Sequence, residues 1–311
     1  MLDVRRMRVL REVAAQRSFS AAAEKLGYTQ SAVSQQIAAL EREAGATLIE
    51  RNPRGIRLTD AGEALVRHAD KILARLAEAE AELDAIAGLK GGRLRLASFP
   101  TAGATLVPAA VADFSHRHPG VELSLAEAEP DESLPRLKAG ELDVVLVDDG
   151  PLVRDDDDEL EITHLLDDPL YLVLAPDHPL ARRRRIRFQD LAAEPWIAGT
   201  QVCACTRHLH ATCAAAGFEP RQIFESDDFQ VVQGLVAAGV GVALIPGLGL
   251  VGERPDIVIR AVSAKPPARQ ILAATLKNGF RSPATAEMID TLKRIAAEYG
   301  AKQRPELAAV S

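Results

Sequence analysis

The sequence predicts an α/β protein in three parts: a small helical domain, one long helix, and a larger domain in which strands and helices alternate. Three observations predict this class. Apolar residues recur at helical spacing over residues 2–41, a stretch poor in Gly and Pro runs from Thr59 to Ile86, and short apolar runs alternate with helical stretches beyond residue 93. A chain of 311 residues is also too long for a single ordinary core.

Charge is distributed unevenly along the chain, whose net charge is −7. Residues 1–60 hold 10 Lys and Arg against 7 Asp and Glu, whereas residues 91–311 hold 23 against 31. The basic front is a weak indication of a nucleic-acid partner, and the acidic remainder keeps such a protein soluble. No segment approaches the ~20 apolar residues that span a bilayer, and the first residues do not form a signal peptide. We therefore expect a cytoplasmic protein with no membrane partner.

The first two helices are short and amphipathic. Residues 2–17 place apolar side chains on one face and leave arginines in water. A second helix follows Ser18, whose hydroxyl can accept from the free N–H groups at its start. Gly27 then supplies the left-handed turn that ends it.

A third helix begins after only two further residues and runs from Gln30 to Glu41. Its apolar residues Val33, Ile37 and Leu40 face the other helices. The opposite face carries short or amide side chains that can donate and accept at the edges of bases: Gln30, Ser31, Ser34 and Gln35. Two helices joined by a Gly turn, the second with this polar face, are typical of a major-groove reader. The alternative is a small helical surface module.

The segment from Leu48 to Thr59 predicts a short hairpin, because apolar residues flank Asn-Pro and Gly. Arg51, Arg54 and Arg57 would line this wing, where they can pair with phosphates or reach the minor groove. The alternative is an ordinary solvated turn. Together with the three helices, the hairpin predicts a winged helix-turn-helix.

The stretch from Thr59 to Ile86 predicts one long helix for dimerisation. Apolar residues recur in steps of four and three, as in a coiled-coil seam: Leu65, Ala69, Ile72, Leu76, Ala79, Leu83 and Ile86. A monomer would leave this seam in water, so we expect at least a dimer, which presents two reading helices to a two-fold operator. The alternative is a long helix packed on its own domain. Gly88, Gly91 and Gly92 mark a hinge after it.

These motifs together resemble the LysR-type transcriptional regulator family. The resemblance rests on Phe19–Ala23, Leu26, Gln30–Ile37, Leu40, Glu41, Leu48, Arg51, Leu58, Thr59 and Gly62. Ser31 stands where many members carry Pro, and Gln35 where many carry Arg. The resemblance implies that the polar face of the third helix meets the groove and that the wing arginines hold the DNA backbone. Within the helix-turn-helix, Phe19 to Ala38, Ser20 and Thr29 join the expected DNA-binding residues.

Beyond the hinge, short strands alternate with helices, which predicts parallel-sheet α/β lobes. In such sheets a ligand sits beyond the carboxyl ends of the strands, near helix N-termini. The resemblance continues through residues 139–143 and 238–242 and implies a two-lobed periplasmic-binding-protein-like α/β effector domain, with its effector between the lobes. The candidate effector-binding residues are Ser98, Thr101, Glu129, Thr200 and Phe229. For the hydroxyls, the alternative is an ordinary helix cap.

All three cysteines and two of the seven histidines fall within eleven residues: Cys203, Cys205, His208, His210 and Cys213. A helix N-terminus and Arg207 would lower the pKa of a thiol, which makes Cys203 or Cys205 a candidate reactive thiolate. The same donors could bind a soft metal ion. Peroxide-sensing members of the family similarly carry a cysteine two residues before an Arg and a second one further along, as Cys205 and Cys213 stand here. The favoured interpretation remains small side chains on a helix that happen to include cysteine.

The sequence therefore predicts a regulator with a winged helix-turn-helix at residues 1–59, a linker helix and hinge at 60–90 and an effector domain at 91–311. Lobe 1 would hold about 91–162 and 268–311, and lobe 2 about 163–267. The expected partners are double-stranded operator DNA, a small-molecule effector, a second copy or three further copies of the chain, and RNA polymerase. No cofactor and no enzymatic activity are expected. The alternatives are a solute-binding protein with the same lobes and an enzyme with a cysteine nucleophile assisted by His208 or His210.

Overall fold

The computed structural model describes residues 1–52, 55–86, 92–150, 152–154, 157–183, 186–200, 203–262, 266–277 and 281–308. Arg54 at the expected wing tip and the hinge glycines Gly88 and Gly91 lie outside them. Contacts divide the chain into two compact units. One comprises Met1–Leu89, Pro135–Leu142 and Asn278–Ser282, and the other Lys90–Leu134, Asp143–Lys277 and Pro283–Ser311.

The first unit begins with three helices that pack around one apolar core. They are α1 (Val4–Gln16), α2 (Phe19–Leu26) and α3 (Gln30–Ala44). Leu10, Val33 and Leu40 are fully buried among them. The expected helical spacing is thus what forms the core, because each helix buries only its apolar face.

A hairpin and a long helix complete this unit. Strand β1 (Ile49–Asn52) pairs antiparallel with β2 (Gly55–Leu58), as the Leu48–Thr59 pattern predicts. Helix α4 (Asp60–Ile86) follows directly. It is capped by Thr59, whose Oγ1 accepts from the Gly62 N–H at 3.0 Å and donates to the Thr47 carbonyl at 2.6 Å.

Gly62 is the point where α4 passes closest to the hairpin. A Cβ at this position would lie 2.1 Å from the Leu48 carbonyl oxygen, so only a residue without a side chain fits. We expect Gly62→Ala to lower the free energy of unfolding of the helical domain by about 1–3 kcal/mol, because the backbone must shift. Gly234→Ala is the matched control: it lies in a helix with open space around it and should be neutral or stabilising. Thermal unfolding followed by circular dichroism measures both, and equal melting temperatures for the two variants would contradict the steric account.

The second unit contains a first sheet flanked by helices. Its strands lie in the order β4 (Glu122–Glu127), β3 (Arg93–Ser98), β5 (Val144–Asp148), β11 (Ala268–Leu276) and β6 (Leu160–Leu174). Helices α5 (Pro100–Arg117) and α6 (Pro130–Lys138) connect the three parallel strands, and the final helix α9 (Pro283–Ala308) packs on α5 and β6. Among the described helices, none is both long and apolar enough to cross a membrane.

A second sheet forms around the other end of β6. That end pairs with β9 (Ala243–Pro246) on one side and β10 (Val258–Arg260) on the other. Strand β7 (Pro195–Ala198) joins β9 through the bridge from Trp196 to Val242, and β8 (Arg221–Glu225) pairs with β7. Helices α7 (Ala204–Ala215) and α8 (Phe229–Ala237) follow β7 and β8.

The expectation of parallel sheets was right for β3, β4 and β5 and for β7 and β8, but wrong for the other strand pairs. Strands β3, β4 and β5 are parallel, but β11 is antiparallel to both β5 and β6, and β6 is antiparallel to β9 and β10. The helical crossovers through α5 and α6 make β3, β4 and β5 parallel, whereas β11 comes from much later in the chain and enters between β5 and β6 in the opposite direction. The first half of β6 escapes sequence detection because Glu161, His164 and Asp167 interrupt its apolar pattern.

Candidate DNA-binding and effector sites

The junction between α2 and α3 is fixed by caps at both of its ends. Gly27 adopts φ +67°, the left-handed conformation in which its N–H reaches the Ala23 and Glu24 carbonyls. Thr29 Oγ1 accepts from the Ala32 N–H at 3.2 Å and lies 3.0 Å from Ser31 Oγ. The start of α3 is therefore held in one orientation by its own first turn.

The first half of α3 has one buried and one exposed face. Val33 and Ile37 are at most 3% exposed. Gln30, Ser31 and Gln35 are exposed, and Ser34 is half-buried between the two faces. The structure thus places all four expected base-reading residues on one side of the helix, where they can hydrogen-bond to groups outside the domain.

Two buried or half-buried acids hold the helices and the hairpin of this domain together. Glu41 Oε1 accepts from the Leu48 N–H at 2.9 Å and from the Ile49 N–H at 3.3 Å, which ties α3 to the start of the hairpin. Glu12 is buried in α1 and meets the Lys25 ammonium of α2 at 3.0 Å. Sequence analysis assigned no role to either contact.

The remaining expected DNA-binding residues lie around this surface. Ser20 and Thr29 are exposed, at the start of α2 and immediately before α3. Arg57 is exposed on β2, and Arg51 lies on β1. Arg54 falls outside the described residues.

The seam of α4 divides into two parts. Ala69 is fully buried and Leu65 is half-buried in the core of the helical domain. Further along, Ile72, Leu76 and Leu83 are 39%, 48% and 65% exposed. The helix therefore packs on its own domain at its start and presents apolar side chains to water beyond it.

The second unit contains a cavity of about 290 Å³ between its two sheets. Four of the five expected effector-binding residues line it: Thr101, Glu129, Thr200 and Phe229. Ser98 does not; it is buried and its hydroxyl donates to the Phe99 carbonyl at 3.1 Å. Further lining residues are Phe99, Pro100, Pro130, Asp131, Asp148, Gly150, Leu152, Val153, Cys203, Ala204, Arg207, Asp227 and Arg269. The walls mix aromatic and aliphatic groups with a few charges, as in small-molecule sites generally.

Arg269 forms the charged floor of this cavity and was missed from the sequence. Its side chain is 4% exposed and lies 3.0 Å from the Asp168 carboxylate, which is 1% exposed. It also donates to Thr101 Oγ1 at 2.7 Å and stacks over the Phe99 ring, 5.2 Å from the ring centroid. Asp168 in turn accepts from the Leu248 N–H at 3.0 Å. This network joins β11, β6 and α5, so it fixes the cavity wall.

The opposite wall depends on close approach of Asp227 to the end of β7. Asp227 accepts from both the N–H and the hydroxyl of Thr200 at 2.9 Å. A Cβ on the intervening Gly199 would lie 2.2 Å from the Asp227 carboxylate. Glycine at 199 is therefore what permits this contact.

Glu129 is the lining carboxyl with the strongest electrostatic perturbation. Desolvation in the cavity raises its pKa to about 7, and the nearby Cys203, Asp148 and Asp227 add to the effect. Burial also raises the pKa of Asp148, while Arg269 and Arg207 oppose that rise. The cavity thus holds a carboxyl that changes charge near neutral pH.

Cys203 is the cysteine that lines the cavity, at the N-cap of α7. A hydrogen bond from the Cys205 thiol lowers the pKa of Cys203 to about 6; burial opposes the shift, and the N–H groups of Thr206 and Cys205 add to it. The same bond and complete burial raise the pKa of Cys205 far above its usual value. Of the two candidate thiolates, the geometry therefore favours Cys203.

The other members of the cysteine and histidine cluster point elsewhere. Burial raises the pKa of Cys213 to about 12. Cys205 and Cys213 lie eight positions apart on α7, a rise of about 12 Å, whereas a disulfide requires Cα atoms within about 7 Å. His208 meets Asp149 at 3.5 Å, and His210 Nε2 is buried with no hydrogen-bond partner among the residues that the structure describes. Within the part of the chain that the structure describes, no three His, Cys, Asp or Glu residues are grouped as metal ligands.

Comparison with known proteins matches both units. A family model described as bacterial regulatory helix-turn-helix protein, lysR family, matches residues 4–63, and one described as LysR substrate binding domain matches residues 87–297. A probable HTH-type transcriptional regulator LrrA of Synechococcus elongatus is 32% identical over 303 residues, 96% of this chain and 99% of that protein. A hydrogen peroxide-inducible genes activator of Pectobacterium carotovorum is 28% identical over 279 residues, 89% of this chain and 91% of that protein. A full-length OxyR variant from Pseudomonas aeruginosa has a similar fold, with a TM-score of 0.70, 23% identity and coverage of 94% and 95% of the two chains.

Proposed function

The chain belongs to the LysR family of DNA-binding transcriptional regulators, and from that premise we propose that α3 reads operator bases while the cavity of the larger domain holds a controlling effector. The observation that carries the first half is the exposed polar face of α3, which lies opposite a fully buried apolar face. In a major groove, Gln30 and Gln35 can each make two hydrogen bonds to an adenine, and Ser31 and Ser34 can reach either kind of base. The protein is a regulator and not an enzyme, and it acts by binding to DNA.

Contacts to phosphate would position α3 on the duplex. We assign them to Ser20 and Thr29 beside the recognition helix and to Arg51, Arg54 and Arg57 of the wing. Such contacts carry no sequence information but make affinity fall with salt. Since the operator is chromosomal DNA, we assign the protein to the cytoplasm, with RNA polymerase as the partner of the promoter-bound form.

The exposed part of the α4 seam supports a homodimer, and pairing of two dimers would give a homotetramer. We expect Leu76→Ala to raise the dimer dissociation constant about tenfold, because each subunit loses apolar burial at the seam. Val251→Ala, a truncation of an equally exposed apolar side chain elsewhere, is the control and should leave the constant unchanged. Sedimentation velocity across a dilution series distinguishes the two, and identical curves would contradict a dimer built on α4.

We propose domain boundaries that separate DNA binding, dimerisation and effector binding. Residues 1–59 bind DNA, 60–90 form the dimerising helix and hinge, and 91–311 bind effector. Strand β6 pairs with β11 in the first sheet up to Pro169 and with β9 and β10 in the second sheet beyond it, and β11 begins at Ala268. Both observations support two lobes, which we separate near residues 162 and 268. A ligand that contacts both lobes can therefore change their closure and so the spacing of paired DNA-binding domains.

The effector would contact Thr101, Glu129, Thr200 and Phe229, with Arg269 behind Thr101. Two steps test whether the cavity controls DNA binding. Operators are first recovered from genomic fragments with purified protein, and small molecules are then screened for a change in the electrophoretic mobility of the protein–operator complex. We expect specific fragments and at least one ligand class that alters their binding. If no DNA fragment were preferred, the proposal that α3 reads an operator would be contradicted. If every ligand that binds in the cavity left the mobility of the complex unchanged, the proposed effector role of the cavity would be contradicted.

Thiol redox sensing is a second candidate function of the same site. What supports it is the lowered pKa of Cys203 and the likeness to a hydrogen peroxide-inducible genes activator. Because Cys205 and Cys213 lie far apart along α7, any such response would centre on Cys203. The test measures operator binding by wild type and by Cys203→Ser before and after treatment with peroxide. If peroxide leaves operator binding by wild type unchanged, this candidate function is removed. Metal sensing gains no support from the described residues.

A further inference from the structure

The cavity wall at the start of α7 combines a nucleophile with a buried hydroxyl. Cys203 lines the 290 Å³ cavity and also a small recess beside it. Thr206 lines that recess too, and it is only 2% exposed. Among the described residues its Oγ1 finds no hydrogen-bond partner, which is costly for a buried hydroxyl. A ligand oxygen in the recess would satisfy it.

Neighbouring hydrogen-bond donors of α7 stabilise the thiolate form of Cys203. The Cys205 thiol donates to the Cys203 sulfur, and two N–H groups of the first turn of α7 point at it. The pKa of Cys203 is about 6, so the thiolate dominates at neutral pH. The charged groups that line the same cavity are the carboxyls Glu129, Asp131, Asp148 and Asp227 and the guanidinium groups Arg207 and Arg269.

The dimensions and walls of the cavity fit an organic molecule better than a peroxide. A single water needs only about 10–15 Å³ of such a space, far less than the 290 Å³ present. Phe99, Phe229 and Leu152 provide apolar surface that peroxide cannot use. The Cys205 thiol, whose pKa is raised and which is fully buried, is a poor nucleophile for resolving an oxidised Cys203.

We propose that the effector is a small α,β-unsaturated carbonyl compound, which Cys203 captures as a thioether while the Thr206 hydroxyl donates to the carbonyl oxygen. The sulfur lone pair forms a C–S bond to the β-carbon, the C=C π pair moves to give an enolate, and the α-carbon then takes a proton from water. No oxidant or reductant is involved. This inference rests on the effector role of the cavity.

The test uses full-length protein and 2-cyclohexen-1-one, with the saturated cyclohexanone as a control that cannot add. Intact-mass spectrometry follows the adduct at pH 6.5, and peptide mapping of wild type locates it. We expect one adduct, on Cys203, formed about tenfold faster than on a free cysteine, because the larger thiolate fraction outweighs the lower intrinsic nucleophilicity. Cys203→Ser should abolish the adduct, and Cys213→Ser, which alters a buried thiol on the same helix, should not change its rate.

Thr206→Val removes the hydroxyl with little change of shape. It should slow formation of the adduct about fivefold, as loss of one hydrogen bond implies. Labelling at the rate of a free thiol, labelling of Cys205 or Cys213 instead, or an unchanged rate in Thr206→Val would overturn the proposal. A disulfide between Cys203 and Cys205 that forms with peroxide faster than the enone adduct would favour redox sensing and overturn it as well.

Operator binding by the same samples distinguishes failure of the electrophile inference from failure of the proposed function. Specific operator binding without a Cys203 adduct would refute only the electrophile inference. A Cys203 adduct on a protein that recognises no operator in any state would refute the proposed function.

Discussion

Replacing Gln30 and Gln35 together by Ala is expected to raise the dissociation constant for the operator at least about a hundredfold in moderate salt. Each glutamine paired with a base edge contributes about 1–3 kcal/mol of discrimination, and a dimer presents each residue twice. Both side chains are exposed and make no described hydrogen bond within the protein, so the fold should not change. Mobility shift on a recovered operator measures the effect.

The matched control is Gln189→Ala with Gln270→Ala, the same chemical change at two exposed positions of the larger domain. It should leave the operator dissociation constant within about twofold of wild type. If the α3 variant also stayed within that range, α3 would not be the reading helix. Equal thermal stability of both variants establishes that the difference arises at the DNA.

The largest expected effect on stability is at the buried ion pair of Asp168 and Arg269. Asp168→Ala should lower the free energy of unfolding by about 3–5 kcal/mol, because it leaves a guanidinium that is 4% exposed without its carboxylate. Trp196 is the single tryptophan and is fully buried in the same unit, so its fluorescence in a denaturant titration reports this unfolding.

An exposed ion pair provides the control. Arg254 and Asp256 are 44% and 52% exposed and 2.8 Å apart, so Asp256→Ala should cost no more than about 1 kcal/mol. The double variant Asp168→Leu with Arg269→Met should recover most of the loss, because it removes both charges. A single Asp168→Ala variant as stable as the Asp256→Ala control would show that the buried pair does not hold the wall of the cavity.

The DNA-binding domain was predictable because its determinants are local. The spacing of Val33, Ile37 and Leu40 defines which side of α3 is buried, and Gly27 and Thr29 lie beside the helix ends that they cap. The winged helix-turn-helix, the two-lobed α/β fold and the family were all confirmed. The division of α4 into a buried start and an exposed remainder was hidden, because a single apolar seam does not show where the domain core ends.

The cavity of the larger domain was predictable in position but not in detail. Loops after β-strands pointed to Thr101, Thr200 and Phe229, since parallel strand ends meet at one edge. Arg269 and Asp168 are 101 positions apart, and only the antiparallel pairing of β6 with β11 brings them together. Ser98 ends β3 only three positions before Thr101 of α5, yet its hydroxyl turns to its neighbour's carbonyl, a choice of rotamer that no spacing reveals.

Base preference reports directly on whether α3 reads the operator. Random duplexes selected by wild type and by Gln35→Ala, sequenced after equal rounds, give a preference for each position of each half-site. We expect the variant to lose preference at one or two adjacent positions in each half-site and to retain the spacing between half-sites, which depends on the dimer and not on α3. An unchanged pattern of base preference would show that α3 does not read these bases.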